Sequence, residues 1–178
     1  MRFSATGIEG VVIVDLDPVA DERGSFARLH CPEEFAAAGH PFAPLQTSLS
    51  RNLKAATLRG LHYEAVPHEE AKLVRATRGA IFDVAVDLRP GSPTYRRWTG
   101  TELSAENGRA LLIGRGLAHG FVTLEDDTDV VYQIDRIFQP GHGRGARWND
   151  PAFGIQWPLQ PQIMSERDAS YPDHGSAS

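Results

Sequence analysis

An all-β domain is what the sequence predicts, and three observations carry it. Strand-length segments succeed one another over the middle of the chain, turn signals separate them, and only one stretch reads clearly as a helix. The segments fall around 45–51, 57–64, 71–77, 80–88, 95–103, 109–114, 119–124 and 129–136. The turns include Arg89-Pro90-Gly91-Ser92-Pro93, Glu106-Asn107-Gly108 and Pro140-Gly141-His142-Gly143. The expected architecture is a double-sheet jelly-roll barrel, cupin-like in outline, with one or two short peripheral helices.

Before that series, residues 8–17 (IEGVVIVDLD) form a valine- and isoleucine-rich run bounded by Gly7 and Pro18, which reads as a strand. In 21–30 (DERGSFARLH), Asp21 and Gly24 suit a turn and Phe26 begins another short strand. The helix is 31–40 (CPEEFAAAGH). Pro32 fits its first turn, Glu33 and Glu34 complement the positive end of its dipole, and Gly39 stops it.

Composition bounds the function. The chain has 178 residues, 41% hydrophobic and 23% charged, as expected for one domain spanning 1–178 with a sizeable core. The last six residues, DHGSAS at 173–178, read as a disordered tail. With 23 acidic against 18 basic residues and a net charge of -5, neither nucleic acid nor an anionic membrane is an expected partner. Cys31 is the sole cysteine, so no internal disulfide forms, and no signal peptide or transmembrane-length run is present. These features read as a cytoplasmic protein.

The chemistry concentrates between residues 58 and 90, where histidines, a lysine and arginines occur in strand-like sequence. With period-two alternation, Leu58, Gly60 and His62 share one face of their strand, opposite Arg59, Leu61 and Tyr63. In the next strand, Lys72 and Val74 face away from Leu73 and Arg75. If the His62 and Lys72 faces are both inner, an imidazole and an ammonium meet in an apolar cavity.

Single histidines in strands are commonly core or surface residues, and His30, His40, His142 and His174 read that way. His68, beside Glu69 and Glu70, reads as solvated. His62 and His119 lie in otherwise apolar strands and are better candidates for a general base near neutral pH, with Asp83, Asp87 or the distant Asp168 as orienting carboxylate. Lys72 in a partly dry cavity serves as a base or as the stabiliser of an oxyanion. Tyr132 shares a strand face with Val130 and Ile134, which makes it a core tyrosine or a proton donor. Arg23, Arg59, Arg75, Arg78, Arg115, Arg144 and Arg147 supply enough guanidinium groups for a diphosphate clamp. A metal site built on His62 and His68, six residues apart, would need an irregular arrangement.

Taken together, LRGLHY at 58–63, AKLVR at 71–75, RGAIFDVAVDLR at 78–89, GSPTY at 91–95, GLAHGF at 116–121 and RWNDPAFGIQWP at 147–158 resemble the dTDP-4-dehydrorhamnose 3,5-epimerase family. The likeness runs from about Asp21 to Pro172. It implies a cofactor-free enzyme acting on a nucleotide-diphosphate-linked 4-keto-6-deoxyhexose in deoxysugar biosynthesis, with no metal. By that resemblance His62 is the proton acceptor and Asp168 its dyad partner. Tyr132 is the proton donor, and Lys72 stabilises the enolate oxygen. Arg23 and Arg59 match diphosphate contacts, Gln46 and Ser48 line the sugar-nucleotide cleft, and His119 matches a further substrate contact. Phe138 occupies the place of an aromatic that stacks on the nucleobase, and Arg167 a place where a basic residue is usual. The resemblance further implies a homodimer in which the N-terminal segment of one chain covers the other's site, so that Arg23 and Phe26 act in trans.

The departures cluster at the nucleotide. Arg28 and Gly143 stand where the thymidine-specific pattern has glutamates, and Thr47-Ser48 replaces an Asp-Asn pair. The base is therefore thymine, cytosine or guanine, and inversion at C3, at C5 or at both stays open. Two alternatives from other classes are a metal-dependent cupin enzyme using His62, His68 and His119, and a non-catalytic sugar-nucleotide-binding module.

Overall fold

Two antiparallel sheets stacked face to face make up the body of the protein in the computed structural model, which describes residues 1–174. The first sheet holds six strands, β1 (Arg2–Ala5), β2 (Val11–Asp15), β5 (Gln46–Asn52), β7 (Lys72–Arg78), β10 (Ala110–Ile113) and β12 (Thr128–Ile134), in the order β1-β2-β10-β7-β12-β5. The second holds β6 (Leu58–Glu64), β8 (Ala80–Asp87), β9 (Trp98–Ser104), β11 (Leu117–Thr123) and β13 (Gly143–Gly145), in the order β13-β6-β11-β8-β9. This is the expected all-β jelly-roll architecture, realised as two facing sheets.

Alternation along the strands builds three apolar layers. Between the sheets lie Val11, Val74, Ile81, Ala85, Leu103, Leu111, Ile113, Leu117, Phe121 and Val130. The helix α1 (Pro32–Ala37) covers the outer face of the six-stranded sheet, where Phe35 and Phe42 pack on Val12, Val14, Leu73 and Leu112. The C-terminal segment covers the outside of the other sheet, with Phe153 and Trp157 against Leu61, Val84 and Val86. Strands β8, β10 and β11 are accordingly buried along nearly their whole length, as cover on both sides requires.

Two departures from simple alternation matter. First, β6 and β11 fall out of step: His119 pairs with His62, yet Phe121 pairs with Arg59, so three residues on β6 span two on β11. This bulge places Arg59 and His62 on one face, where strict alternation had put them on opposite faces. Glycines make it possible, because a Cβ at Gly60 would lie 2.5 Å from Gly120 Cα and Gly60 has a φ of 136°. Second, β3 (Val19–Asp21) and β4 (Gly24–Phe26) form a hairpin that pairs only with itself.

At the C-terminus, the expectation of a disordered tail at 173–178 needs correction for its first two residues. Asp173 forms an ion pair with Arg147 at 2.7 Å, and the half-buried His174 packs against Phe153 while its backbone N–H donates to Asp150. Polar partners hold this backbone where composition suggested nothing would. The rest of the tail, 175–178, lies outside the described residues.

Candidate active site

The end of the space between the sheets is not filled by apolar side chains. Arg59, His62, Lys72, His119, Phe121 and Tyr132 line a cavity of about 230 Å³ there. His62 and His119 come from adjacent strands of the five-stranded sheet and are register partners. Lys72 and Tyr132 come from the six-stranded sheet, where Lys72 lies opposite Ile134 and Tyr132 opposite Val74. They are thus diagonal neighbours on one face. The imidazoles and the phenol face each other from opposite walls.

His62 Nε2 lies 2.8 Å from Asp168 Oδ1. Asp168 comes from α2 (Glu166–Ala169), a single turn that Ser165 caps by accepting from the Asp168 backbone N–H at 3.0 Å. The Gly60 N–H donates to its second oxygen at 3.3 Å. Burial pushes the Asp168 carboxyl up, but the hydrogen bonds from His62 and Gly60 outweigh burial and hold it below the ordinary carboxylate value. An ionised carboxylate accepts only, so the proton on Nε2 points at Asp168 and the Nδ1 lone pair is left free as a base.

A second imidazole–carboxylate pair lies deeper. His119 Nε2 is 2.6 Å from Oδ1 of Asp83, which is fully buried. Burial raises the Asp83 carboxyl, against the attraction of His119 and Lys72, and its Oδ2 makes no hydrogen bond. The three carboxylates weighed as partners for His62 thus separate: Asp168 takes His62, Asp83 takes His119, and Asp87 is bound by Arg89, Ser92 and Thr94.

The arginines sort just as sharply. Arg59 reaches the cavity, steadied by a 2.8 Å hydrogen bond to Asn52 Oδ1. Arg75 is buried on the other side of its sheet, donating to the carbonyls of Leu29 and Gly108, and burial lowers it to about 10. Arg78 pairs with Asp127 and Arg115 with Asp135, while Arg144 donates to the Gly141 and Gly143 carbonyls. Arg59 and Arg167, by contrast, both border His62. A hollow of about 400 Å³ beside the cavity is lined by Arg59, His62, Arg167 and Asp168.

Gln46 and Ser48 lie on β5, with Ser48 opposite Tyr132, and Gln46 Oε1 accepts from the Phe138 backbone N–H at 3.1 Å. Phe138 is 65% exposed, and neither it nor Gln46 or Ser48 is among the residues lining the cavity. Arg23 and Phe26 are not at the cavity of their own chain. Both line a separate hollow on the hairpin, Arg23 ion-paired with Asp21 and Phe26 78% exposed. Arg28 turns back onto α1, 2.6 Å from Glu34.

The donor set of the metal-dependent alternative does not assemble. His62 and His119 face separate carboxylates, and His68, expected to be solvated, is half-buried with its ring 3.7 Å from that of His142. No group of three or more His, Cys, Asp or Glu suited to a metal ion occurs among the described residues.

Sequence reasoning passed over Glu70, whose Oε1 lies 3.0 Å from Lys72 Nζ, and Tyr171, whose ring meets the His62 ring edge-on at 6.0 Å. For Glu70 the signal was spacing, since residues two apart in extended chain share a face. Tyr171 lies far from His62 in sequence and offered none.

A two-sheet cavity on a jelly roll, with an imidazole–carboxylate dyad, an ammonium and a phenol on facing walls, has the groups that general acid–base chemistry needs. The sequence profile of the dTDP-4-dehydrorhamnose 3,5-epimerase family matches residues 5–175. The chain is 41% identical over 97% of its length to the dTDP-4-dehydrorhamnose 3,5-epimerase of Sinorhizobium fredii, covering 89% of that protein. It is 38% identical over 94% of its length to the dTDP-4-dehydrorhamnose 3-epimerase of Streptomyces niveus, covering 81% of it. A crystal structure of the Bacillus anthracis 3,5-epimerase with TDP and PPi bound superposes with a TM-score of 0.94 at 35% identity, over 97% of this chain and 99% of that one. The chain belongs to the dTDP-4-dehydrorhamnose 3,5-epimerase family, a family of isomerases.

Proposed function

We propose that this protein inverts C3, C5 or both in a nucleotide-diphosphate-linked 4-keto-6-deoxyhexose, as a step in deoxysugar biosynthesis. The observation that carries this reading is that His62 and Tyr132 line one cavity from opposite sheets. A ketone at C4 acidifies the hydrogens on C3 and C5. His62 Nδ1 takes one of them while Asp168 fixes the ring, and negative charge builds on the C4 oxygen beside Lys72. Tyr132 returns a proton to the opposite face, and solvent restores both groups. Each such group contributes about 100- to 10,000-fold. The steps move protons only and use this chain's own side chains.

Arg59 and Arg167 take the diphosphate, with His119, Gln46 and Ser48 along the sugar and Phe138 against the base. Arg23 and Phe26 join them from a second copy of the chain. The hairpin that carries them leaves its own sheets, and Val19 and Phe26 on it are exposed apolar side chains that a partner subunit would cover. The active form proposed is therefore a homodimer. We propose a cytoplasmic location, alongside its nucleotide-sugar substrate. No helix among the described residues is long and apolar enough to cross a membrane.

The test is incubation in deuterium oxide with dTDP-, CDP- and GDP-linked 4-keto-6-deoxyhexoses, followed by NMR. Deuterium is expected at C3, C5 or both with one of the three nucleotides. Uptake with none would remove the reading.

A further inference from the structure

Lys72 does not stand alone at the mouth of the cavity. Its ammonium is 3.0 Å from Glu70 Oε1, and the two side chains are only 16% and 13% exposed. Glu64 lies close by on the last position of β6. Burial and then the like charge of Glu70 raise its carboxyl, against the attraction of Lys72, His142 and Arg144. Glu64 and Glu70 line a hollow of about 200 Å³ with Leu45, His68, Arg136 and Ile137, whereas Lys72 lines the cavity with His62 and Tyr132. The Lys72–Glu70 pair is thus the partition between the two spaces.

A lysine carries four rotatable bonds and, unheld, spreads its charge over many positions. In a cavity this small, only one of those positions serves an oxygen that becomes negative in mid-reaction. Preorganisation of that donor is what makes it effective, because no reorganisation is then needed as charge develops. Asp83 attracts Lys72 from the inner side, but its unbonded Oδ2 forms no ion pair with the ammonium, whereas Glu70 holds it at 3.0 Å, so Glu70 is the group that fixes the ammonium's position.

We propose that Glu70 is a positioning residue for the epimerisation, holding the Lys72 ammonium against the C4 oxygen of the sugar. The inference rests on the epimerase reading given above. Glu70 touches no reacting atom. It acts through Lys72, so its loss raises the barrier for enolate formation and leaves nucleotide affinity alone. The pairing also has a cost, since a full carboxylate charge beside Lys72 offsets part of the field that the enolate feels. A neutral acceptor of the same shape keeps the orientation and removes the offset.

The test compares Glu70→Ala and Glu70→Gln with the wild type for deuterium uptake, turnover and dTDP affinity. Glu70→Ala is expected to lower kcat and uptake about 10- to 100-fold, the scale of a misplaced catalytic group, with dTDP affinity held within about twofold. Glu70→Gln is expected to restore the rate to within about threefold of the wild type or above it. Glu70→Ala turning over at the wild-type rate, or Glu70→Gln as slow as Glu70→Ala, would overturn the proposal. Wild-type uptake measured in the same run separates the two levels: uptake absent there sinks the epimerase reading, and uptake present with an unaffected Glu70→Ala sinks this inference alone.

Discussion

His62 and Asp168 are separated by 106 residues in the chain and by 2.8 Å in the fold. One stands on β6, the other on a single helical turn whose capping serine and the Gly60 N–H fix it from two further directions. Asp168→Asn keeps the shape of that side chain but lets the amide donate, which favours the wrong tautomer of His62. Turnover is expected to fall by about 100- to 10,000-fold with KM little changed. Steady-state kinetics on the 4-keto sugar nucleotide checks this.

The same residue gives a pH dependence. Its folded value lies below the unfolded value of 3.8, so its contribution to stability is full above that value. The contribution is lost as pH falls through the folded value. Urea unfolding from neutral pH down to about pH 3 is expected to show a steeper acid loss in the wild type than in Asp168→Asn.

Asp83 runs the other way. Burial raises its folded value above 3.8, so its contribution to stability is present below that value and is lost as pH rises through the folded value. Asp83→Asn removes the charge that burial disfavours, so its Tm is expected to vary less with pH than that of the wild type as pH rises to neutral. Activity should fall, because His119 loses its carboxylate. Calorimetry and turnover on one preparation test both halves.

Much of this site was legible in the sequence, and the reason is physical. Lys72, Tyr132 and His119 sit on regular strands, where period-two alternation assigns faces and the apolar neighbours Val74, Val130 and Phe121 mark the inner one. Alternation put Arg59 on the wrong face, because three β6 residues span two on β11 and the pattern carries no information across a bulge; the family resemblance is what brought it to the site. Strands β1 and β13 were missed for want of apolar pattern, the latter being Gly-Arg-Gly paired to the edge of β6. Helix α2 was too short to show a period. Where polar partners fix the backbone, as for Asp173 and His174, composition alone misleads.

Gly145 is expected to tolerate no side chain. A Cβ there would fall 2.1 Å from the ring of Tyr171, which itself walls His62. Gly145→Ala must displace that ring, and a loss of about 1 to 3 kcal/mol in urea unfolding is expected. Its exchange rate should drop as well, since the His62 ring loses an edge contact.

Tyr132→Phe removes the proposed donor and leaves the base in place. Net epimerisation should slow more than proton abstraction, so deuterium washes into the substrate faster than product appears. Equal slowing of the two would count against the phenol's role.

The central claim is that one imidazole breaks the carbon–hydrogen bond, and solvent exchange in His62→Ala measures it most directly. With the 4-keto sugar nucleotide in deuterium oxide, the account predicts that NMR finds no deuterium at C3 or C5 while dTDP still binds with near wild-type affinity. Exchange at the wild-type rate in that variant would contradict it, because another group would then be the base.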